Sequence, residues 1–358
     1  MNISASLART TRLLLRPAAR SCSSGSGATS NSPTTTVTNM VSNLQSPLFT
    51  QQVVNAMRTL YPEELADRSW DNVGLLQGNI DPSSSIGAGW STSRPVSPIV
   101  LLTNDLTIRV AEEAIRKKAS IIVTYHPFIF RGLKSVTLAD PQQRILLQLA
   151  QNNIAVYSPH TAIDAAPGGM NDWLADILEG HSVSTKRSVV QPINQATLPE
   201  GFGGAGYGRL VELAHPVNLG AIVQAYAEGL GGLRYVMVAR PKASAGEPEH
   251  VMPISSVAIC AGSGYDVLKN CKADLFVTGE MTHHSALKLT MEGKYVITVF
   301  HSNSERRFLK KRLQPLLQTT LRKEDPVAEV LVSEEDEDPF EIWDVKNLPP
   351  AALLGSKK

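Results

Sequence analysis

Short apolar segments alternate with helix-forming ones, and this order most limits the folds open to the chain. Ile99 to Asn104, Ser120 to Thr124 and Ile154 to Tyr157 are apolar runs. Leu106 to Lys118 and Gln142 to Asn152 separate them with helical periodicity. Strands buried on both faces read as near-continuous apolar runs. This first half therefore predicts an α/β lobe.

A second series of the same kind follows residue 190. The predicted strands are Gly208 to Leu213, Arg234 to Val238, Val257 to Cys260, Leu275 to Thr278 and Tyr295 to Val299. The predicted helices are Leu219 to Glu228, Tyr265 to Asn270, His283 to Glu292 and Ser304 to Leu317. Residues 181–207 are rich in Ser, Thr, Gln, Pro and Gly and predict an irregular connection. We expect two α/β lobes, 46–190 and 191–347, and a tail at 348–358.

The N-terminal segment is typical of a mitochondrial presequence. Arg9, Arg12, Arg16 and Arg20 are three or four residues apart, so they share one helix face, and no acidic residue precedes Glu63. Ser-rich sequence follows, so residues 1–45 predict a presequence and a disordered linker. We expect a mitochondrial protein, with a cytoplasmic pool as an option. The alternative is a disordered basic tail that targets nothing.

Charge and cysteine content exclude several protein classes. The chain has 34 basic and 33 acidic residues, a net charge of +1, so no global charge favours nucleic acid or an anionic membrane as a partner. No apolar run approaches the roughly 20 residues of a membrane-spanning helix. Three cysteines predict reduced thiols rather than a disulfide framework, with Cys260 in the core. The acidic run from Glu334 to Asp338 predicts a solvated loop.

Metal-type side chains follow three predicted strands. His126 ends the first of these segments, His160 and Asp164 end the second, and His301 and Glu305 end the third. Open α/β sheets build their sites at the carboxyl ends of strands. A histidine after a strand is by itself more often an ordinary loop residue, but three such strand ends in one chain lower the odds of coincidence, and spacing alone leaves a shared site and separate loop residues equally open. Imidazole with carboxylate is a normal ligand set for zinc, iron or manganese.

A carboxylate, Glu280, follows a fourth strand. The structural interpretation is a helix N-terminus that favours negative charge. The functional one is an acid–base group or a carboxylate that orients a ligand. The glycine-rich stretch Gly201 to Gly208 lacks the Lys-Ser/Thr ending of a phosphate-binding loop, so it predicts a flexible connection.

Taken together, these segments resemble the NIF-three-like family, whose members are also labelled GTP cyclohydrolase 1 type 2 homologues. The resemblance runs from about residue 47 to about residue 345. It rests on seven segments: Trp70 to Gly78, Tyr125 to Phe130, Ser158 to Asp164 with Gly169 to Asp172, Gly206 to Arg209, Cys260 to Gly264, Ala273 to His284 and His301 to Arg306.

The resemblance implies a two-lobed α/β fold, each lobe a mixed sheet flanked by helices. It implies a homohexamer, a trimer of dimers, with a dinuclear site of two divalent ions (zinc, iron or manganese). The metal ligands that it implies are His126, Asp164, His301 and Glu305, with Asp164 and Glu305 as candidates to bridge the two ions. The chain departs from the His-His-Pro motif of many bacterial members by carrying Tyr125 before His126. A phenol with a pKa of about 10 binds divalent ions less readily, so one of the two ions is expected to be more weakly bound, absent or completed by water.

Three functions remain open. The first is a metal-dependent hydrolase of a phosphoester or of GTP-cyclohydrolase type, with Glu280 or His160 as the acid–base group. The second is a metal-handling protein that buffers or delivers ions without turnover. The third is an interaction factor with a transcription-linked protein partner, as the family name implies.

Overall fold

A computed structural model describes residues 45–81, 97–180, 184–193, 198–248 and 251–347. The predicted presequence and linker, apart from residue 45, and the predicted tail lie outside the described residues. Within the described ranges, no helix is both long and apolar enough to cross a membrane.

Two sheets organise the described chain. The strands are β1 (Gly74–Gln77), β2 (Ile99–Thr103), β3 (Ile121–Thr124), β4 (Ala155–Ser158), β5 (Ser184–Pro192), β6 (Gly206–Asn218), β7 (Met237–Ala239), β8 (Pro253–Cys260), β9 (Leu275–Thr278), β10 (Tyr295–Thr298) and β11 (Glu329–Val332). The helices are α1 (Leu48–Leu60), α2 (Ile108–Arg116), α3 (Pro141–Gln151), α4 (His160–Ala165), α5 (Met170–Glu179), α6 (Leu219–Gly229), α7 (Tyr265–Leu268), α8 (His283–Met291), α9 (Arg306–Phe308) and α10 (Gln314–Leu321). A π-helical turn, Leu309–Leu313, joins α9 to α10.

Both sheets are mixed, as predicted. The first has the order β1-β4-β3-β2-β11, in which only β1 runs antiparallel to its neighbour. The second has the order β5-β6-β8-β9-β10-β7, with a parallel centre formed by β8, β9 and β10. The parallel strands of each sheet therefore end at one edge, where loops can converge.

Alternate side chains of the parallel strands pack into different hydrophobic cores on the two faces of each sheet. In β3, Ile121 and Val123 belong to a central core shared by the two sheets, whereas Ile122 faces an outer core under α2 and α3. In β9, Leu275 faces the central core and Phe276 the outer core near α8. Both faces of these strands are thus buried, which explains why they read as continuous apolar runs.

Strands β5 and β11 were not predicted from the sequence. β5 lies within residues 181–207, which were predicted to be irregular, and pairs with β6. β11 returns to the first sheet and pairs in parallel with β2, Glu329 opposite Ile99. The chain therefore enters the second sheet at Ser184 and comes back to the first near its end.

α1 begins after Pro47, and the buried Thr50 hydroxyl donates a hydrogen bond to Asn79 Oδ1 at 3.0 Å. Cys260 is buried and free, as predicted, and Cys271 is also free.

The acidic run is a loop, as predicted, but it is solvated only in part, because Glu334 and Glu337 are exposed whereas Asp336 is buried. The Asp336 side chain is 1% exposed, accepts a hydrogen bond from the Asn104 backbone amide at 2.8 Å, and lies 3.3 Å from Arg306 Nε. Its neighbours Glu335 and Glu337 pair with Arg109 of α2. The run reads as solvated because its basic partners are far away in sequence.

Candidate metal centre

Loops from both sheets meet at one place. His126 follows β3 and Asp105 follows β2 in the first sheet, and His301 follows β10 and Glu280 follows β9 in the second. A hydrogen bond from Asn104 Nδ2 to Glu305 Oε2 at 3.2 Å joins loops of the two sheets, and the Glu280 amide donates to the Gly262 carbonyl at 2.9 Å within the second. Each sheet thus brings part of the site.

Glu305 lies between the two histidines. Its Oε2 is 3.4 Å from His126 Nε2, and its Oε1 is 3.3 Å from His301 Nε2. The two imidazole rings are 5.3 Å apart between centroids. One potential ligand atom from each of the three residues lies within 4.8 Å of the other two, which is a spacing that could hold a metal ion.

A carboxylate orients each imidazole from its other side. His126 Nδ1 lies 2.8 Å from Asp105 Oδ1, and His301 Nδ1 lies 2.9 Å from Glu280 Oε1. A carboxylate at Nδ1 favours the proton on that nitrogen, which leaves the Nε2 lone pair free for an ion. Glu280 therefore lies where it can orient the His301 ring.

The backbone around Glu305 is irregular rather than helical as predicted. A 3-10 turn, Ser302–Ser304, follows His301, and Glu305 has φ −126° before α9 begins. The Ser304 hydroxyl fixes this turn, because it accepts a hydrogen bond from the Gly262 amide at 2.9 Å and donates one to the His301 carbonyl at 2.6 Å. The turn directs both His301 and Glu305 to the same point.

Gly262 leaves room for the ligand atoms. Its φ is +58°, and an added Cβ would lie 2.7 Å from Glu305 Oε1 and 3.2 Å from His301 Nε2. Any side chain here would occupy the space where the ligand atoms converge. Glycine also adopts this left-handed conformation without the steric cost that a Cβ brings.

The electrostatics of Glu305 fit a cation. Its side chain is 1% exposed, and burial raises the pKa of this carboxyl well above its ordinary value. A hydrogen bond from Asn104 Nδ2 at 3.2 Å opposes that rise. A buried carboxylate between two oriented imidazoles is a suitable donor set for a divalent transition metal.

Asp164, the fourth predicted ligand, lines the same cavity but lies outside the three-residue group. Its Oδ1 accepts a hydrogen bond from the Tyr125 hydroxyl at 2.7 Å. Burial raises the pKa of Tyr125 well above its usual range, so the phenol stays protonated and acts as a donor. Burial also raises the pKa of Asp164. Tyr125 therefore acts on Asp164 as a hydrogen-bond donor.

His160 is held in the site by a carboxylate that sequence reasoning missed. Its Nδ1 lies 2.8 Å from Asp71 Oδ1, and Asp71 also accepts from Thr161. Burial by itself raises the pKa of Asp71, but His160 and Thr161 outweigh it and lower the pKa. His160 has φ +27°, a strained conformation for a residue with a Cβ. Its ring centroid is 5.5 Å from that of His126.

The site opens into a cavity of about 720 Å³. Five of the six predicted site residues line it: His126, His160, Asp164, His301 and Glu305. The sixth, Glu280, lies behind His301. This volume lies within the range of small-molecule sites, roughly 300–1,000 Å³.

Three residues of the site were not predicted from the sequence. Asn104 contacts Glu305, Asp105 contacts His126, and Asp71 contacts His160. Asn104 and Asp105 carried the same signal that identified His126, polar groups directly after a buried strand. Asp71 precedes β1 and lies in an irregular turn, so no periodic pattern marked it.

Known proteins resemble the chain over most of its length. It shares 45% identity over 293 residues with the Protein NIF3 homolog of Schizosaccharomyces pombe, which covers 82% of this chain and 97% of the relative. With NGG1-interacting factor 3 of Saccharomyces cerevisiae it shares 39% identity, over 81% of this chain and 96% of the relative.

Solved structures have the same fold. The Bacillus cereus protein related to NIF3 superposes with a TM-score of 0.65 at 20% identity, covering 82% of this chain and 98% of that one. The model of the family Duf34/NIF3 (NGG1p interacting factor 3) matches residues 49–339. The predicted resemblance and the predicted fold are confirmed: the chain belongs to the Duf34/NIF3 family.

Proposed function

We propose that the chain binds two divalent transition-metal ions and uses them to hydrolyse a small substrate. One observation carries the proposal: Glu305 is buried between two imidazoles, each of which has its other nitrogen on a carboxylate. Such outer carboxylates accompany metal-ligating histidines as a rule, because they set the tautomer and raise the basicity of the ligand.

The first ion belongs to His126, His301 and Glu305. Asp164, which lines the same cavity, would hold a second ion together with Glu305. Tyr125 supplies no imidazole there and already donates to Asp164, so we expect this position to bind more weakly. The proposal therefore predicts unequal occupancy of the two positions.

The roles of the surrounding side chains follow from their contacts. Bound ions supply Lewis-acid chemistry that polarises a substrate oxygen and lowers the pKa of water. His160, oriented by Asp71, is the group that moves a proton, since its Nδ1 is engaged and Nε2 remains available. Glu280 accepts from His301 and therefore serves as an orienting group rather than an acid–base group.

Metal content per subunit is the first measurement. We expect one to two ions per subunit in the chain after incubation with zinc, iron or manganese, and none in the His301→Ala, Glu305→Ala double variant. Replacing the exposed pair His283→Ala, His284→Ala controls for loss of histidine as such. A folded chain that binds no ion contradicts the proposal.

Turnover is tested separately, with GTP and p-nitrophenyl phosphate as substrates. A hydrolase predicts metal-dependent turnover that falls at least about 100-fold in His160→Gln while metal content is kept. Bound metal without turnover on either substrate favours the metal-handling function, which uses the same ligands.

Assembly, location and partners are also proposals. We propose a homohexamer, which gel filtration with light scattering measures, and mitochondrial import directed by residues 1–45, which fusion of this segment to a reporter tests. The name of the S. cerevisiae relative records an interaction with NGG1. For this chain, capture of a protein partner by tagged wild type but not by an untagged control would support the interaction function.

A further inference from the structure

Two aromatic rings, Trp70 and Phe130, lie at the cavity of the metal centre. We call this pair the aromatic mouth. The residues are 52% and 41% exposed, and their ring centroids are 6.0 Å apart at an angle of 51°. Both line the cavity that contains the three-residue metal group. Contiguous apolar surface bordered by polar groups is one mark of a ligand-binding groove.

Trp70 is held in place although it is exposed. Its Nε1 donates a hydrogen bond to Asp67 Oδ2 at 3.0 Å. Asp67 Oδ1 in turn accepts from the Ser69 amide at 3.1 Å. The indole is thus pre-oriented, so a ligand that stacks on it does not have to order it first.

A row of rings connects the aromatic mouth to the metal group. The Trp70 ring lies 5.8 Å from that of His160, His160 lies 5.5 Å from His126, and His126 lies 5.3 Å from His301. A bound molecule that lies along this row would contact the aromatic mouth with one end and would reach the Nε2 atoms of His126 and His301 with the other. Gln191, Ser263 and Asp266 line the same cavity and can bond to polar atoms of such a ligand.

We propose that the aromatic mouth is a stacking site for a planar aromatic or heteroaromatic ring, part of a ligand whose other end reaches the metal group. The inference deepens the proposed function by naming the class of substrate, and it rests on metal binding there. A flat ring fits because it can stack on the exposed indole or phenyl, whereas a saturated ring offers no π face. Stacking of a ring on an aromatic side chain changes affinity by roughly 5- to 150-fold.

Three hydroxamates test the inference on the cobalt-loaded full chain. They share one metal-binding end and differ in the other: acetohydroxamate, cyclohexanecarbohydroxamate and 2-naphthohydroxamate. Calorimetry is expected to give a Kd for the naphthyl compound about tenfold below that of the cyclohexyl compound. Trp70→Leu is expected to remove this difference, and Trp70→Phe to retain most of it.

The control is Trp343→Leu, which replaces an indole that is 65% exposed outside the lining of this cavity. It is expected to leave all three Kd values unchanged. Equal Kd values for the naphthyl and cyclohexyl compounds, or a naphthyl preference that survives Trp70→Leu, overturn the inference. Acetohydroxamate, which has no ring, separates the metal centre from the aromatic mouth. If it does not bind the unsubstituted chain, the result counts against the metal centre. If it binds but the naphthyl compound is not preferred, the result counts against the aromatic mouth alone.

Discussion

Gly262 leaves the space that the side chains of Glu305 and His301 occupy, because it has no side chain of its own. Gly262→Ala places a methyl group 2.7 Å from Glu305 Oε1 at a φ of +58°. We expect the carboxylate to be displaced and metal affinity to fall at least about tenfold, the lower end of what disturbed ligand orientation costs. Competition with a chromogenic chelator measures the affinity.

Gly203→Ala is the matched control, because an added Cβ there meets no atom within 4 Å. It should leave metal affinity unchanged. Wild-type affinity in Gly262→Ala would show that Glu305 does not need its present position.

The Asp172–Arg209 pair is a second residue-scale case. Arg209 Nε lies 2.6 Å from Asp172 Oδ1, and the two side chains are 3% and 14% exposed. Burial raises the pKa of Asp172, but the hydrogen bond and charge of Arg209 outweigh it, and the net pKa is lowered. The folded state therefore binds this proton less readily than the unfolded state. The ion pair therefore contributes its full stability above the pKa that Asp172 has in the unfolded state, and this contribution is lost as the pH falls through the pKa in the folded state.

We therefore expect Asp172→Asn to lower the free energy of unfolding by about 3 kcal/mol at pH 7, because it leaves a buried guanidinium without its charge partner. The difference from wild type should narrow below about pH 4. Urea denaturation at pH 7 and pH 3.5 measures both. Asp176→Asn, at a carboxylate that is 39% exposed, should cost less, and a pH-independent difference at Asp172 would contradict the pairing.

Single site residues could be predicted from the sequence where a metal-ligating side chain comes after a run of apolar residues typical of a buried strand. His126, His301 and Glu305 each follow a buried strand or its loop, and the structure brings them together. The hydrogen bond from Tyr125 to Asp164 was out of reach, because the residues are far apart in sequence and only the fold joins them.

At the scale of elements, the acidic run and α2 hold each other. Glu113 of α2 is 1% exposed and accepts from the backbone amide of Glu334 at 3.1 Å and from that of Glu335 at 3.4 Å. It also pairs with Lys117 Nζ at 2.9 Å. This single carboxylate therefore anchors the acidic segment to α2, beside the point where Asp336 binds the Asn104 amide.

Glu113→Ala is expected to destabilise the protein by about 2–4 kcal/mol, because it leaves the two amides and a lysine without their partner. Urea denaturation measures the loss. Glu112→Ala, on the exposed side of the same helix, should change stability by less than about 0.5 kcal/mol. Equal effects of the two substitutions would exclude the anchoring role.

The elements differ in how well their sequences identify them. Strands buried on both faces, such as β3 and β9, were predicted within a residue or two because their apolar runs leave few alternatives. β5 was not predicted because it is an edge strand and mostly polar. None of its described side chains is fully buried. Its pairing with β6, rather than its own composition, makes it a strand.

At the scale of the whole molecule, the proposed metal ion joins the two sheets. His126 comes from the loop after β3, and His301 and Glu305 come from the loop after β10. An ion that binds only the folded state stabilises it by mass action. At 100-fold excess over the Kd the gain is about 2.7 kcal/mol.

We therefore expect zinc to raise the thermal midpoint of the wild-type chain and a chelator to reverse the rise. The His301→Ala, Glu305→Ala variant should not respond. Scanning calorimetry with and without zinc measures the shift. A response of the same size in the variant would place the stabilising ion elsewhere.

The return of β11 to the first sheet has a consequence for biosynthesis. A ribosome releases the chain from its amino end, so β2 emerges long before its parallel neighbour β11. Until residue 332 has been made, one side of β2 presents unpaired backbone groups, which are a template for pairing with other chains. The nascent protein therefore carries an open edge through most of its translation, and a premature stop codon before β11 would make that edge permanent.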